Sequence, residues 1–195
     1  DVYETFFSRL LRGSGTEGLS SFAKTEKLFN FKDKKIIVAR PLLNLTKQDL
    51  IYVSNSVFKF YIKDPSNELE IFQRVRIRKL ISNLKNQGLD FNKLILTIKN
   101  LSSTNQTISE IVNSNIVKNV TFLHKKKYLI NFNFFLMPEE IIFRSLSALL
   151  KDISKKDYPP RGKKMISLIR ELKNKRYLKA TLGGTIIEKI HNSVI

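Results

Sequence analysis

The sequence contains no cysteine and only two histidines, His124 and His191, among its 195 residues. The missing cysteines exclude disulfide bonds, thiolate catalysis and cysteine-ligated zinc within this chain. Two histidines are too few to build a histidine-based metal site. There is no apolar run long enough to cross a bilayer and no signal-peptide pattern, so we expect a cytoplasmic protein with no membrane partner.

Acidic residues are scarce relative to basic ones, with 17 Asp and Glu against 35 Lys and Arg, for a net charge of +18 at pH 7. The excess concentrates in Lys151–Ala180, which holds 11 basic and 3 acidic residues. Clustered Lys and Arg neutralise phosphates and release counterions, so this segment predicts a polyanionic partner. The 42% of apolar residues is enough to bury a core, which indicates a globular protein with one ordinary domain or two small ones.

Hydrophobic spacing and turn signals predict an α/β architecture in the first half of the chain. The first expected elements are a helix at 1–12 capped by Gly13 and a strand at 36–39. A second helix should begin at a capping box formed by Thr46 and Asp49 and run to about Val57, followed by a strand at 58–62 and a helix at 69–85.

The second half predicts a smaller α+β domain after a linker. The polar stretch Leu101–Thr107 is typical of a linker, and Thr107 with Glu110 indicates the cap of a new helix. A strand at 128–134 and a helix from Pro138 to about Ile153 follow. We therefore expect a first domain at 1–86, a helical or linker segment at 87–106 and a small basic domain at 107–195.

The opening residues "DVYETFFSRLLRGSG" contain charged side chains at helical spacing. Asp1 and Glu4 lie on one side of the first turn, where they would bind a cationic ligand, help to hold a metal with substrate phosphates, or serve only as N-cap and capping-box partner. Arg9, Arg12 and the Gly13-Ser14-Gly15 turn would offer guanidinium groups and free backbone N–H groups to an anion, or would merely end the helix.

The run "RVRIRKL" places arginines two residues apart, and such residues cannot share one face of a helix. With Phe72 as the origin of a helical projection, Arg76 falls on the apolar side, while Arg74 and Arg78 fall on the opposite side. An arginine on an apolar face needs a partner. We therefore expect Arg76 to reach an acid, a carbonyl or a bound phosphate in a cleft that it shares with Asp1 and Glu4. We expect Arg74 and Arg78 on a solvated surface or a phosphate track.

The basic segment near residue 165 predicts an amphipathic helix with Met165, Ile169 and Leu172 on its packed side. Its basic side chains form either a solvated face or a surface that contacts nucleic acid through the phosphates, namely Arg161, Lys163, Lys164 and Arg170.

Taken in order, these motifs resemble the tRNA(Ile)-lysidine synthase family, a group of N-type ATP pyrophosphatases with a PP-loop. "DVYETFFSRLLRGSG" resembles the stretch in which paired aspartates precede an E-T and an R-L-L-R-G-S-G. "ARPLL", "KDPSN" and "RVRIR" follow in the family's order, and "MPEEIIFRSL", "DYPPRGKK" and "ATLGG" resemble the family's next domain. The resemblance implies the C-terminal half of an adenine-nucleotide α-hydrolase-like domain, then the linker and the α+β domain.

The resemblance also implies an activity. Such enzymes adenylate C2 of the first anticodon cytidine of tRNA(Ile), and the side-chain amine of lysine then displaces AMP to form lysidine. ATP, with Mg²⁺, L-lysine and tRNA(Ile) are the implied cofactors and partners. The implied site residues are Asp1, Glu4 and Arg12 for catalysis, Arg9, Gly13, Ser14, Gly15, Arg40, Asp64, Asn67 and Arg76 for substrate and nucleotide, and Arg74, Arg78, Arg161, Lys163, Lys164 and Arg170 for tRNA.

The chain departs from the family pattern in several places. The S-G-G-x-D-S phosphate loop and the first aspartate of the pair do not occur, so we expect a fragment that lacks the ATP-holding loop. Val2 stands where Gln is common and Val75 where Asn is common. Two alternatives stay open: another tRNA-modifying enzyme with a PP-loop, such as a thiolation enzyme, or a noncatalytic basic RNA-binding module.

Overall fold

The computed structural model describes residues 2–20, 25–31, 34–62, 69–124, 127–156, 160 and 162–195. It divides into two compact units, residues 1–105 and 106–195. Both units contain helices, and each contains antiparallel strands, so the predicted mixture of helices and strands is confirmed.

The first unit packs its helices around a small apolar core. Its elements are α1 (Val2–Leu10), α2 (Thr16–Ser20), β1 (Thr25–Phe31), β2 (Lys34–Ala39), a 3₁₀ turn (Pro41–Asn44), α3 (Lys47–Phe58), α4 (Gln73–Asn86) and the first part of α5 (Phe91–Asn119). Strands β1 and β2 form an antiparallel pair. The core forms where Phe6 and Phe7 of α1 meet Ile77 of α4 and Leu94 and Ile98 of α5.

Helix α3 begins at the capping box expected from the sequence. The hydroxyl of Thr46 accepts from the Asp49 N–H at 3.2 Å, and the Asp49 carboxylate accepts from the Thr46 N–H at 2.7 Å. The Thr46 hydroxyl also donates to the Asp49 carboxylate at 2.7 Å, and this bond together with the one from the Thr46 N–H holds the pKa of Asp49 below its usual value. The strand predicted at 58–62 is wrong: Phe58 ends α3, Lys59 adopts a left-handed backbone, and the described residues 59–62 form no strand. Aromatic and β-branched residues favour a strand only where a neighbouring strand pairs with them.

Helix α5 passes without a break through Leu101–Thr107, so the linker predicted there is helical and no new helix begins at Thr107. Hydroxyl side chains within α5 bond to the carbonyl one turn earlier, as Thr104 does to Asn100 at 3.0 Å. Such bonds let polar residues remain in a helix whose apolar stripe packs on a core.

The second unit is a five-stranded antiparallel sheet covered on one face by helices. Its elements after α5 are β3 (Val120–His124), β4 (Lys127–Asn131), a 3₁₀ helix (Phe132–Leu136), α6 (Glu139–Ser154), α7 (Gly162–Asn174), β5 (Tyr177–Leu182), β6 (Thr185–Ile190) and β7 (Ser193–Val194). The strand order is β3-β4-β7-β6-β5. Pro138 stands at the N-cap of α6, which confirms the predicted helix start. The strand predicted at 128–134 ends at Asn131, where the 3₁₀ helix begins.

A buried amide ties three elements of the second unit together. Asn115 of α5 is 2% exposed. Its Nδ2 donates to the Ser145 hydroxyl of α6 at 3.2 Å and to the Phe134 carbonyl of the 3₁₀ helix at 3.5 Å, and its Oδ1 accepts from Asn119 of α5 at 2.9 Å. Buried polar groups specify packing when they are hydrogen-bonded and are costly when they are not.

We expect Asn115→Ala to lower the free energy of unfolding of the second unit by about 1–3 kcal/mol, because Ser145 and Asn119 lose their buried partner. Asn113→Ala, at an exposed position of the same helix, is the matched control. Denaturant unfolding of both variants measures the difference. Equal stability of the two variants would show that the amide network contributes nothing.

Candidate functional site

Glu4 of α1 and Arg78 of α4 form an ion pair at the edge of the first unit's core. The Nε of Arg78 donates to Oε1 of Glu4 at 2.8 Å, and the Glu4 side chain is only 18% exposed. Helix α1 buries Phe7, one turn after Glu4, against the core, which brings the carboxylate alongside α4. Within the described part of the chain, Oε2 of Glu4 accepts no hydrogen bond, so that oxygen can receive a cation.

The prediction that Arg76 lies on the buried side of α4 is wrong. Arg76 is exposed, and its Nη1 donates to the backbone carbonyls of Glu70 and Ile71 at 3.0 and 3.1 Å. Its guanidinium therefore bonds to carbonyls, one of the kinds of partner expected for it, in the segment just before α4. The arginine that binds Glu4 is Arg78.

The error came from counting Phe72 as part of the apolar face of the helix. Phe72 is the N-cap of α4, one residue before the helix begins, and it is half exposed. The residues of α4 that are buried are Val75 and Ile77, and Arg78 lies between their directions around the helix axis. Only the tertiary packing identifies which residues form the buried face.

Helix α1 ends in a left-handed turn at Gly13, as predicted. Gly13 has φ 70; its N–H donates to Leu10 at 2.9 Å, and the Ser14 N–H donates to Arg9 at 3.0 Å. This is the hydrogen-bond pattern of a Schellman motif. The amides of Gly13 and Ser14 are therefore occupied, which supports the alternative that the turn ends the helix and not the one in which these two amides bind an anion.

Arg9 of α1 and Arg12, in the turn that follows α1, have different partners. The Nη1 of Arg9 donates to the Gly18 carbonyl of α2 at 2.7 Å, which links the first two helices. The Nη2 of Arg12 donates to Oε1 of Gln73 in α4 at 2.9 Å in an exposed position. A guanidinium has five N–H donors, so Arg12 keeps donors for an anion beside the Gly13 turn.

Glycine at position 18 permits the close approach of α2 to the turn. A Cβ there would lie 2.8 Å from the Cβ of Ser14, closer than two such atoms can pack. The sequence G-S-G thus ends one helix, and Gly18 lets the next helix fold back over it.

The basic helix α7 has the predicted division between a buried and an exposed side. Met165, Leu168, Ile169 and Leu172 are buried in the core of the second unit. Lys163, Lys164 and Arg170 are exposed on the other side. The packed stripe positions the helix and leaves these cations on the surface.

The remaining predicted site residues fall in three groups. Arg74 is exposed in the first turn of α4, and Arg40 is half-buried at the N-cap of the 3₁₀ turn. Gly15 lies just before α2. Asp1, Asp64, Asn67 and Arg161 lie outside the described residues.

Sequence reasoning missed the roles of Gln73 and Arg78. Gln73 bonds to Arg12 in the turn after α1, and Arg78 bonds to Glu4 in α1. One signal in the sequence was available: Gln73 and Ile77 are four residues apart, so Gln73 lies on the flank of the buried stripe.

No cluster of three or more potential metal-ligating His, Cys, Asp or Glu side chains occurs within the described ranges. None of the helices seen there is both long enough and apolar enough to cross a bilayer.

The amino-acid sequence of this chain is similar to those of known proteins. Residues 1–84 match the PP-loop domain family. A tRNA(Ile)-lysidine synthase of Wolbachia sp. subsp. Brugia malayi (strain TRS) is 27% identical over the whole chain, which covers 44% of that protein. The tRNA(Ile)-lysidine synthase of Anaplasma marginale (strain St. Maries) is 28% identical over a stretch that covers 97% of this chain and 40% of that protein.

A third relative is more similar over a shorter stretch. The tRNA(Ile)-lysidine synthase of Orientia tsutsugamushi (strain Boryong) is 42% identical over 85 residues, which is 43% of this chain and 18% of that protein. The chain thus spans less than half the length of these relatives. The resemblance stated from the sequence motifs is confirmed.

Proposed function

We propose that this chain is part of a tRNA(Ile)-lysidine synthase, which uses ATP to join lysine to C2 of the first anticodon cytidine of tRNA(Ile). The observation that supports this most directly is the half-buried carboxylate of Glu4, held by Arg78 inside the segment that matches a PP-loop domain. The relatives that match the whole chain carry the name of this enzyme.

Glu4 fits the recognition of a cationic amino acid. Lysine carries two ammonium groups, and a carboxylate withdrawn from water binds a cation more strongly than one in bulk solvent. The ion pair with Arg78 uses Oε1 and holds the carboxylate in place, while Oε2 faces the incoming ammonium. Asp1 is proposed as the second acid from the motif that it shares with Glu4.

Arg9 at the end of α1 and Arg12 in the following turn fit the negative charge of the adenylation step. The carbonyl oxygen on C2 of the cytidine attacks the α-phosphate of ATP and displaces pyrophosphate; the lysine amine then attacks C2, and AMP leaves with that oxygen. Arg12, with donors beyond the one on Gln73, and Arg9 would stabilise phosphate charge by position rather than by covalent chemistry. Gly15, Arg40, Asp64 and Asn67 are further proposed nucleotide contacts, and Mg²⁺ is proposed with ATP.

The basic surface of α7 fits the phosphates of tRNA. Residues 106–195 carry 17 basic and 7 acidic side chains. Lys163, Lys164 and Arg170 are exposed and lie on a helix anchored by its apolar side. Arg74 is proposed as an additional tRNA contact in the first unit.

The full-length protein should incorporate radiolabelled lysine into tRNA(Ile) in the presence of ATP, with release of AMP. The same tRNA with uridine in place of the first anticodon cytidine should accept no lysine. Uracil keeps the C2 carbonyl but lacks the 4-amino group of cytosine, which donates electrons to that carbonyl and makes its oxygen nucleophilic enough to be adenylated. Thin-layer analysis of digested tRNA identifies the product. ATP-independent tRNA binding without lysine incorporation would support the RNA-binding module instead, and a sulfur-containing product would support a thiolation enzyme.

A further inference from the structure

The five-stranded sheet of the second unit has one covered face and one open face. Leu178, Ala180 and Leu182 of β5 pack on the core, whereas Tyr177, Lys179 and Thr181 between them are exposed. Side chains alternate between the faces of a strand. The residues of β6 opposite those three are Ile190, Glu188 and Ile186, which therefore line the same open face.

Tyr177 and His191 form a defined aromatic pair at the end of this face. Their ring centroids are 5.0 Å apart at an interplanar angle of 88°, and the Tyr177 hydroxyl lies 3.2 Å from Nε2 of His191. A T-shaped pair leaves at least one face of each ring uncovered by the other ring. His191 has a left-handed backbone, φ 53, and its N–H donates to the Arg176 carbonyl at 3.0 Å, so the chain turns the histidine back toward β5.

Basic side chains lie close to this aromatic pair. Lys175 and Arg176 are exposed immediately before β5, and Lys175 forms an ion pair with Glu171 of α7 at 2.7 Å. Lys179 lies two residues after Tyr177 and forms an ion pair with Glu188 at 2.7 Å. The hydrogen bond and charge of Lys179 hold the pKa of Glu188 below its usual value, and the charge of Lys127 on β4 acts in the same direction. Glu188 therefore has two basic neighbours, Lys179 and Lys127.

An open groove of about 320 Å³ lies beside Tyr177, with Lys179, Glu188 and Ile190 among its other lining residues. Lys189, which also borders it, is buried; its Nζ donates to the Leu172 carbonyl at the end of α7 and lies 5.3 Å from the centre of the Phe132 ring. That lysine supports the floor of the groove, while Lys179 at the surface supplies its charge.

We propose that Tyr177, His191, Lys179 and Ile190, here termed the Tyr177 platform, bind an unpaired base of RNA by stacking. Aromatic rings beside basic side chains on an antiparallel sheet are the arrangement by which proteins hold single-stranded nucleic acid. The aliphatic Ile190 beside the ring extends the apolar contact, and the surrounding cations lie where the flanking phosphates would pass. This inference rests on the proposed function for its ligand, a tRNA with an unpaired segment.

The platform differs in chemistry from the basic side of α7. Phosphate contacts release counterions and make affinity depend on salt, whereas stacking on a ring releases none. The two surfaces therefore have separate signatures in one titration, even if the same tRNA occupies both.

The experiment uses the full-length protein and tRNA(Ile), with affinity measured by fluorescence anisotropy at several salt concentrations. Tyr177→Leu should weaken binding about 5- to 150-fold, the contribution of one stacked base, with an unchanged slope of log affinity against log salt. Tyr177→Phe should bind as the parent does, because stacking needs the ring and not the hydroxyl. Phe122→Leu is the matched control, since Phe122 is 60% exposed against 61% for Tyr177 and lies on the opposite edge strand.

A direct contact test follows from the absence of tryptophan in this chain. Tyr177→Trp introduces a fluorophore at the platform, and Phe122→Trp introduces one at the control position. Addition of a short single-stranded RNA should quench the fluorescence introduced at 177 and leave that introduced at 122 unchanged. Absence of quenching at 177, or wild-type affinity of Tyr177→Leu, overturns the platform.

The outcomes also separate this inference from the proposed function. Lysine incorporation with no effect of Tyr177→Leu refutes the platform alone. RNA quenching at 177 without lysine incorporation retains the platform and refutes the enzyme. Quenching by an added protein partner or by a second copy of the chain, and not by RNA, assigns the face to protein contact and overturns the proposal.

Discussion

Glu4→Gln in the full-length protein should lower kcat/KM for lysine about 10- to 150-fold, while ATP-dependent adenylation of tRNA(Ile) in the absence of lysine proceeds close to the parental rate. The factor corresponds to the loss of one hydrogen bond to a charged group, about 1.5–3 kcal/mol. Gln keeps the shape and one acceptor oxygen but loses the charge that attracts the ammonium. Single-turnover release of pyrophosphate and transfer of radiolabelled lysine measure the two steps separately.

Two further variants separate lysine binding from a general defect. Glu110→Gln removes an acid from an exposed position of α5, where it accepts a hydrogen bond from Gln106, and should leave both steps intact. Arg78→Met removes the ion-pair partner and should raise KM for lysine, because Glu4 is then held less firmly. A parental KM for lysine in Glu4→Gln would contradict the role proposed for this carboxylate, whatever the effect on adenylation.

Replacement of Lys163, Lys164 and Arg170 by alanine should weaken tRNA binding and flatten its dependence on salt. Each phosphate contact that is removed should lower the slope of log affinity against log salt by roughly one. The three side chains are exposed on a helix whose buried side is untouched, so the fold should persist. Adenylation at saturating tRNA should remain largely intact, since these residues lie in the second unit and the proposed chemistry lies in the first.

A charge-matched variant distinguishes this local surface from the general basicity of the protein. Lys47, Lys93 and Lys99 are exposed in the first unit, and their replacement by alanine removes the same three charges. That variant should keep the parental salt slope. If both triple variants change the slope equally, or if neither changes it, α7 is an ordinary solvated helix.

Much of the local structure was predictable because it depends on residues a few positions apart. The Thr46-Asp49 capping box, the left-handed Gly13, the N-cap Pro138 and the packed stripe of α7 all follow from hydrogen bonds or side chains within one or two turns. The resemblance to the synthases was likewise readable from motif order, and the comparisons confirm it.

Predictions failed where the deciding contact came from a distant part of the chain. Residues 58–62 have the composition of a strand, but the described residues 59–62 pair with no other strand. Leu101–Thr107 is polar, yet it continues helix α5, which packs into an apolar core through Leu94 and Ile98 before this stretch and through Ile116 after it. Neither the composition nor the spacing of a segment shows which distant residues will contact it.

The amino-acid sequence by itself determined the charge of the protein, its helix ends, its apolar stripes and the order of its motifs, because each of these is a property of neighbouring residues. The tertiary structure decided which arginine meets the acid. Arg74, Arg76 and Arg78 have the same chemistry, and only the packing of α1 against α4 places Arg78, 74 residues away in the chain, at 2.8 Å from Glu4. The open aromatic face of the sheet arose in the same way, since the pairing of β5 with β6 and the turn at His191 bring its residues together.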